Sequence, residues 1–95
     1  MPAWLLLKER KELEQGGFVE LMIWKLPGPT RDRPHGYKYR LAYVRGGECV
    51  LRYDNETGKG DHRHAGPREE PYRFSTVENL LRDFMRDVRA TGGRR

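Results

Sequence analysis

Apolar and polar positions divide this chain into short alternating runs and one helical stretch. Phe18-Val19-Glu20-Leu21-Met22-Ile23-Trp24 is a nearly continuous apolar run behind Gln15-Gly16-Gly17, the signature of a turn feeding a strand. The residues before that turn, 4–15, mix Leu, Lys, Glu and Arg, which favour helix one by one. The turn outweighs propensity, and the spacing predicts a strand pairing back on residues 18–26. Leu26-Pro27-Gly28-Pro29 breaks the chain, and a polar loop runs to His35-Gly36. In Tyr37-Lys38-Tyr39-Arg40-Leu41-Ala42-Tyr43-Val44 the alternation is regular. One face carries Tyr37, Tyr39, Leu41 and Tyr43; the other carries Lys38, Arg40, Ala42 and Val44. Arg45-Gly46-Gly47-Glu48 is a hairpin turn, and Cys49-Val50-Leu51-Arg52-Tyr53-Asp54 returns as the partner strand, in which the right register puts Arg52 on the face of Lys38 and Arg40.

Residues 55–71 lack an apolar pattern and are rich in Gly and Pro, so they read as a long loop, a length that is usually functional or disordered. Tyr72 and Phe74 then serve as core anchors. Ser75-Thr76-Val77-Glu78 has the spacing of a capping box with Ser75 as the cap. Val77, Leu80, Leu81, Phe84, Met85 and Val88 follow at helical spacing, on one face. Gly92-Gly93 ends the helix, and Arg94-Arg95 is a tail. The predicted class is α+β: one domain over residues 1–95, with an antiparallel sheet of about four strands and the C-terminal helix on one face.

Charge sharpens the picture. The chain has 19 Lys and Arg against 14 Asp and Glu, a net charge of +5, and residues 1–24 carry a slight acidic excess, so the positive charge lies beyond them. Most of the bases are arginines, which fork onto phosphates and stack on bases. Nucleic acid is the usual partner of such a surface; a merely solubilising surface is the plainer alternative. Cys49 is the single cysteine, which rules out an internal disulfide or a Cys-rich metal site. It fits a reducing, cytoplasmic compartment, and its apolar neighbours Val50 and Leu51 suggest a packing role. No apolar run approaches membrane-spanning length.

Chemistry concentrates in Gly58-Lys59-Gly60-Asp61-His62-Arg63-His64. His62 and His64, two positions apart, point the same way in extended backbone. Near neutral pH one imidazole can act as base and the other as acid. RNA cleavage uses such a pair: one group takes the 2′-hydroxyl proton, the other protonates the departing 5′-oxygen. Lys59 and Arg63 are placed to stabilise phosphate charge, and Asp61 to orient an imidazole. Lys38, Arg40 and Arg52 form a basic platform, with Arg68 as a further phosphate contact and Tyr37 or Tyr53 as stacking partners. Two other readings compete. A Gly-rich loop with two His is often only solvated, and His62 and His64 with His35 or Asp61 can hold zinc.

These segments together resemble a known family. Tyr37-Lys38-Tyr39-Arg40-Leu41-Ala42-Tyr43, Arg52-Tyr53-Asp54-Asn55-Glu56, Gly58 to His64, and Arg68-Glu69-Glu70-Pro71-Tyr72-Arg73-Phe74 resemble TumE-type toxins of bacterial and archaeal toxin–antitoxin modules. The strand Met22-Ile23-Trp24 and the helix start Ser75-Thr76-Val77-Glu78 fit too. The resemblance implies a growth-inhibiting toxin encoded beside an antitoxin, typically a helix-turn-helix protein, that neutralises it by direct binding. It implies no particular reaction. The residues themselves point to a metal-independent endoribonuclease without a cofactor. A non-enzymatic binder of RNA, ribosome or antitoxin, and a metal-dependent nuclease, are the alternatives. RNA and the antitoxin are the expected partners, a membrane is not, and a homodimer is compatible with the sequence.

Overall fold

The computed structural model describes residues 3–14, 16–56, 58 and 60–91. The elements in chain order are β1 (Trp4–Glu12), β2 (Phe18–Lys25), β3 (Tyr37–Arg45), β4 (Glu48–Asp54), β5 (His62–Ala65), β6 (Arg68–Pro71) and α1 (Val77–Thr91). The strands form one antiparallel meander in sequence order. The α+β class and the single helix agree with the sequence. The strand number does not: the sheet has six strands rather than about four. The added pair is built from His62-Arg63-His64-Ala65 and Arg68-Glu69-Glu70-Pro71, inside the stretch read as loop. These strands carry almost no apolar side chains, so their pattern is invisible to hydrophobic periodicity. Backbone pairing against β4 holds them.

Turn chemistry fixes the hairpins. Gly46 and Gly47 both take positive φ, 61° and 78°, as the mirror-image turns joining adjacent strands require. At Gly17 a Cβ would stand 2.5 Å from the Val44 carbonyl oxygen, so only glycine lets β2 begin that close to β3. Gln15, in the same turn, lies outside the described residues, as do Gly92-Gly93 and Arg94-Arg95.

The core lies between the sheet and α1. Val19, Leu21 and Ile23 of β2, Tyr39, Leu41 and Tyr43 of β3, and Leu51 and Tyr53 of β4 meet Leu80, Phe84 and Val88 of the helix. Tyr72 and Phe74 pack at its margin as expected. Tyr72 donates to Asp83 at 2.6 Å, and Tyr53 donates to Asp87, tying sheet to helix. The cap is Thr76 rather than Ser75: its Oγ1 accepts the Asn79 N–H at 3.0 Å, while Ser75 receives the Asn79 amide at 2.9 Å. Cys49 is exposed rather than packed, because β4 begins at the hairpin tip, beyond the reach of the core.

Candidate functional site

The pleat sorts the site residues. On the face away from α1, register sets two rows across the strands: Met22, Arg40, Asp54, His62 and Pro71, and beside it Glu20, Ala42, Arg52, His64 and Glu69. Lys38 shares this face and opposes Trp24, its Nζ 5.1 Å from the indole centroid. The predicted platform of Lys38, Arg40 and Arg52 is thus on one face, and His62 and His64 join it with ring centroids 4.9 Å apart.

Each imidazole has its own surroundings. His62 is buried at 4% exposure. Its Nδ1 lies in hydrogen-bond contact with the Gly60 carbonyl oxygen at 3.0 Å, while its Nε2 stands 2.8 Å from Asp54 Oδ1 as an ion-pair contact without hydrogen-bond alignment. His64 is more open, and its Nε2 lies 3.0 Å from an Arg52 guanidinium nitrogen. Because arginine only donates, Nε2 is the acceptor and the proton sits on Nδ1. Burial, and then the Arg52 charge, hold the His64 pKa below the ordinary 6.5, so the ring is neutral at neutral pH. Arg52 also reaches Asp54, with Nε 3.0 Å from Oδ2, and Glu69 Oε2 stands 3.6 Å from Nε2 of both rings.

Other predicted members go elsewhere. Arg63 alternates onto the opposite face, 3.2 Å from Glu70 and 3.3 Å from Asp87 of the helix, and does not meet the imidazoles. Arg68, opposite Ala65, shares that face. Tyr53 is buried in the core, and Tyr37 is on the helix side. Lys59 lies outside the described residues.

Asp61 does not orient either ring of the pair. Its carboxylate accepts from His35 Nε2 at 2.9 Å, Tyr39 Oη at 2.7 Å and Asn55 Nδ2 at 3.1 Å. His35 stacks on Phe74 with centroids 3.9 Å apart. Burial, then the Asp61 hydrogen bond, push the Tyr39 phenol far up, so it remains a donor. Asn55, fully buried, continues the sheet pattern with its side chain: Oδ1 accepts the Tyr39 N–H at 3.1 Å and Nδ2 donates to the Tyr37 carbonyl at 2.9 Å. This cluster pins the segment leading into β5.

The sequence reading missed Asp54 and Glu69. The signal for Asp54 was its place at the end of a strand that an inward-alternating partner could face; Glu69 lies in a strand with no apolar pattern to announce it. Asp54, His62 and His64 offer ligand atoms within 4.8 Å of one another, a spacing that suits a metal ion, but the Arg52 guanidinium already occupies their midst. A cleft of about 350 Å³ beside His62 is lined by Asp61, Glu69, Glu70 and Pro71. Its carboxylates disfavour phosphate there.

A family model described as Toxin TumE matches residues 6–91. The chain belongs to the TumE toxin family. Membership makes it the toxin of a toxin–antitoxin module and gives it an antitoxin partner. No curated protein and no solved structure matches the chain. Among the described residues no helix of this TumE toxin is long and apolar enough to cross a membrane.

Proposed function

We propose that this TumE toxin cuts RNA in the cytoplasm without a metal ion, using the imidazole pair on the open face of the sheet. The observation that carries the reading is the pairing of a neutral, partly open His64 with a His62 whose Nδ1 is hydrogen-bonded to the Gly60 carbonyl and whose Nε2 stands against the Asp54 carboxylate. His64 Nε2 takes the proton of the 2′-hydroxyl, the 2′-oxygen bonds to phosphorus, and the bond to the 5′-oxygen breaks. His62, held by Asp54, returns a proton to that oxygen. The products are a 2′,3′-cyclic phosphate and a 5′-hydroxyl end. Arg52 blocks His64 Nε2 at rest. A phosphate that draws the guanidinium onto its own oxygens frees the lone pair and removes one cause of the ring's weak basicity. Arg40, next to Asp54 in the row, and Lys38 supply further charge along the strand. A helix-turn-helix antitoxin fits as the neutralising partner.

The test is total RNA incubated with purified protein in EDTA, with sequencing of the ends. Cyclic phosphate ends that vanish in His64→Gln support the reading. Intact RNA, from protein that still arrests growth, removes it. The burial of His62 favours a second reading, in which the toxin blocks RNA or ribosome by occupancy; replacing His62 and His64 with Gln then leaves growth arrest nearly intact. Dependence on added metal after chelation favours the Asp54, His62 and His64 cluster as a metal-dependent nuclease centre.

A further inference from the structure

The two edges of the sheet are built differently. The β6 edge is four residues long, wholly polar and closed by Pro71, features that block strand addition. The β1 edge is nine residues long and begins with Trp4, Leu5 and Leu6, exposed at 55%, 51% and 53%. Consecutive residues of a strand point to opposite faces, so the edge is apolar on both sides at this end. A bulge between Leu5 and Leu7 leaves Leu6 without a partner in β2. Among the described residues β1 pairs only with β2, which leaves a row of backbone donors and acceptors facing outward. Exposed apolar residues of this size and contiguity mark an interaction site.

The same edge opens onto a groove of about 270 Å³ lined by Lys8, Glu9, Arg10, Glu20, Met22 and Arg40. Lys8, Met22 and Arg40 are successive members of one cross-strand row, which continues to Asp54 and His62. The apolar edge, the groove and the imidazole site therefore lie along one continuous track. β1 and β5 are four strand spacings apart, about 19 Å, a distance that a short extended segment spans.

We infer that the antitoxin docks here: an extended segment adds to the β1 edge, seats apolar side chains on Trp4, Leu5 and Leu6, and lays carboxylates along the groove toward Arg40. The inference rests on family membership for the existence of the antitoxin, and on the edge and groove for the place. The chemistry of the partner follows from charge. Lys8, Arg10 and Arg40 outnumber Glu9 and Glu20 in the groove. An acidic, apolar-bearing segment complements that surface. A second copy is disfavoured by register. A full-length antiparallel match centred on Lys8 sets Trp4 against Glu12, Leu5 against Lys11 and Leu6 against Arg10. Matching the apolar end with itself pairs only residues 4–7. A segment lying over Arg40 also closes the approach by which phosphate reaches His64, so docking and neutralisation become one event.

The test uses the full chain and, as probe, the protein encoded beside its gene. Leu5→Glu/Leu6→Glu and, separately, Lys8→Glu are made in the toxin; all three positions are exposed, and circular dichroism checks the fold. The expected result is toxins that still arrest growth, escape rescue by the co-expressed neighbour, and bind it at least 100-fold (Leu5/Leu6) or several-fold (Lys8) more weakly. Rescue and binding at the wild-type level overturn the inference. A wild-type toxin that the neighbour never binds overturns it too, through the partner rather than the surface. Two further outcomes overturn it in favour of another occupant: a wild-type dimer in sedimentation that the double variant makes monomeric, or loss of RNA binding with retained antitoxin binding. Loss of RNA cleavage in His64→Gln with antitoxin binding unchanged separates this surface from the proposed chemistry.

Discussion

His35 with Asp61 and His62 with Asp54 are the same two side chains in contact, on opposite faces of one sheet, and they differ in what the second ring nitrogen meets. In His35, Nδ1 accepts the Tyr37 backbone N–H at 3.1 Å and Nε2 lies 2.9 Å from Asp61. One neighbour donates and one accepts, so the Nε2–H tautomer satisfies both and the ring is closed by Phe74. In His62 only Nδ1 is hydrogen-bonded, to the Gly60 carbonyl; Nε2 meets the Asp54 carboxylate without alignment, and a second imidazole stands 4.9 Å away. The first pair has every lone pair and proton assigned, which suits a structural pin. The second leaves His62 Nε2 against a carboxylate without hydrogen-bond alignment, beside a neutral His64 able to take a proton, which suits chemistry. The kind of residue pair says little until the rest of each ring's hydrogen bonding is counted.

Substitutions break this contrast in measurable ways. Asp61→Ala leaves Tyr39, Asn55 and His35 without their shared acceptor, and unfolding in urea should show a loss of about 3 kcal/mol. His64→Gln should lower RNA cleavage about 100-fold, with the midpoint of thermal unfolding within about 2 °C of the parent. Asp54→Asn keeps the shape but not the charge that holds His62, and a fall in cleavage of about tenfold is expected, with a displaced pH profile. If Asp61→Asn instead gave the larger kinetic loss at equal stability, the roles of the two pairs would be reversed.

Acidity gives a smaller effect with a defined sign. The His64 pKa is lowered by burial and Arg52, so the unfolded chain binds a proton near pH 6.5 and the folded chain only at lower pH. Stability falls as pH drops below about 6.5, and cleavage falls as the folded ring protonates. His64→Gln should remove this part of the acid sensitivity of the unfolding midpoint. Smallest is Tyr72→Phe, which deletes the hydroxyl donating to Asp83 and should cost about 1 kcal/mol without affecting cleavage.

Much of the scaffold was legible because apolar periodicity wrote it. Val19, Leu21 and Ile23, the Tyr37 to Tyr43 alternation and the Leu80, Phe84 and Val88 stripe each have one buried face, and each element appears where that face requires. The β5–β6 hairpin was illegible for the opposite reason. Arg68-Glu69-Glu70-Pro71 buries nothing, and only its backbone bonds to β5 make it a strand. Sequence adjacency misled at the site. Asp61 and Arg63 flank His62, and in a pleated strand immediate neighbours face away from each other, so the two best-placed residues in sequence became members of the opposite side.

The sequence by itself determined that His62 and His64 share a face, because a two-residue separation in extended chain leaves no alternative. It also determined that Lys38 and Arg40 share a face, whereas Arg52 joins them only through a bulge between the turn and Tyr43 that shifts the β3–β4 register by one residue. Only the tertiary structure decided that the two faces are one, and that Asp54 rather than Asp61 meets His62. Those facts depend on the pairing of β5 with β4, a choice made by backbone hydrogen bonds that carry no side-chain signature, and the one-residue sensitivity of register sends every side chain to one side or the other.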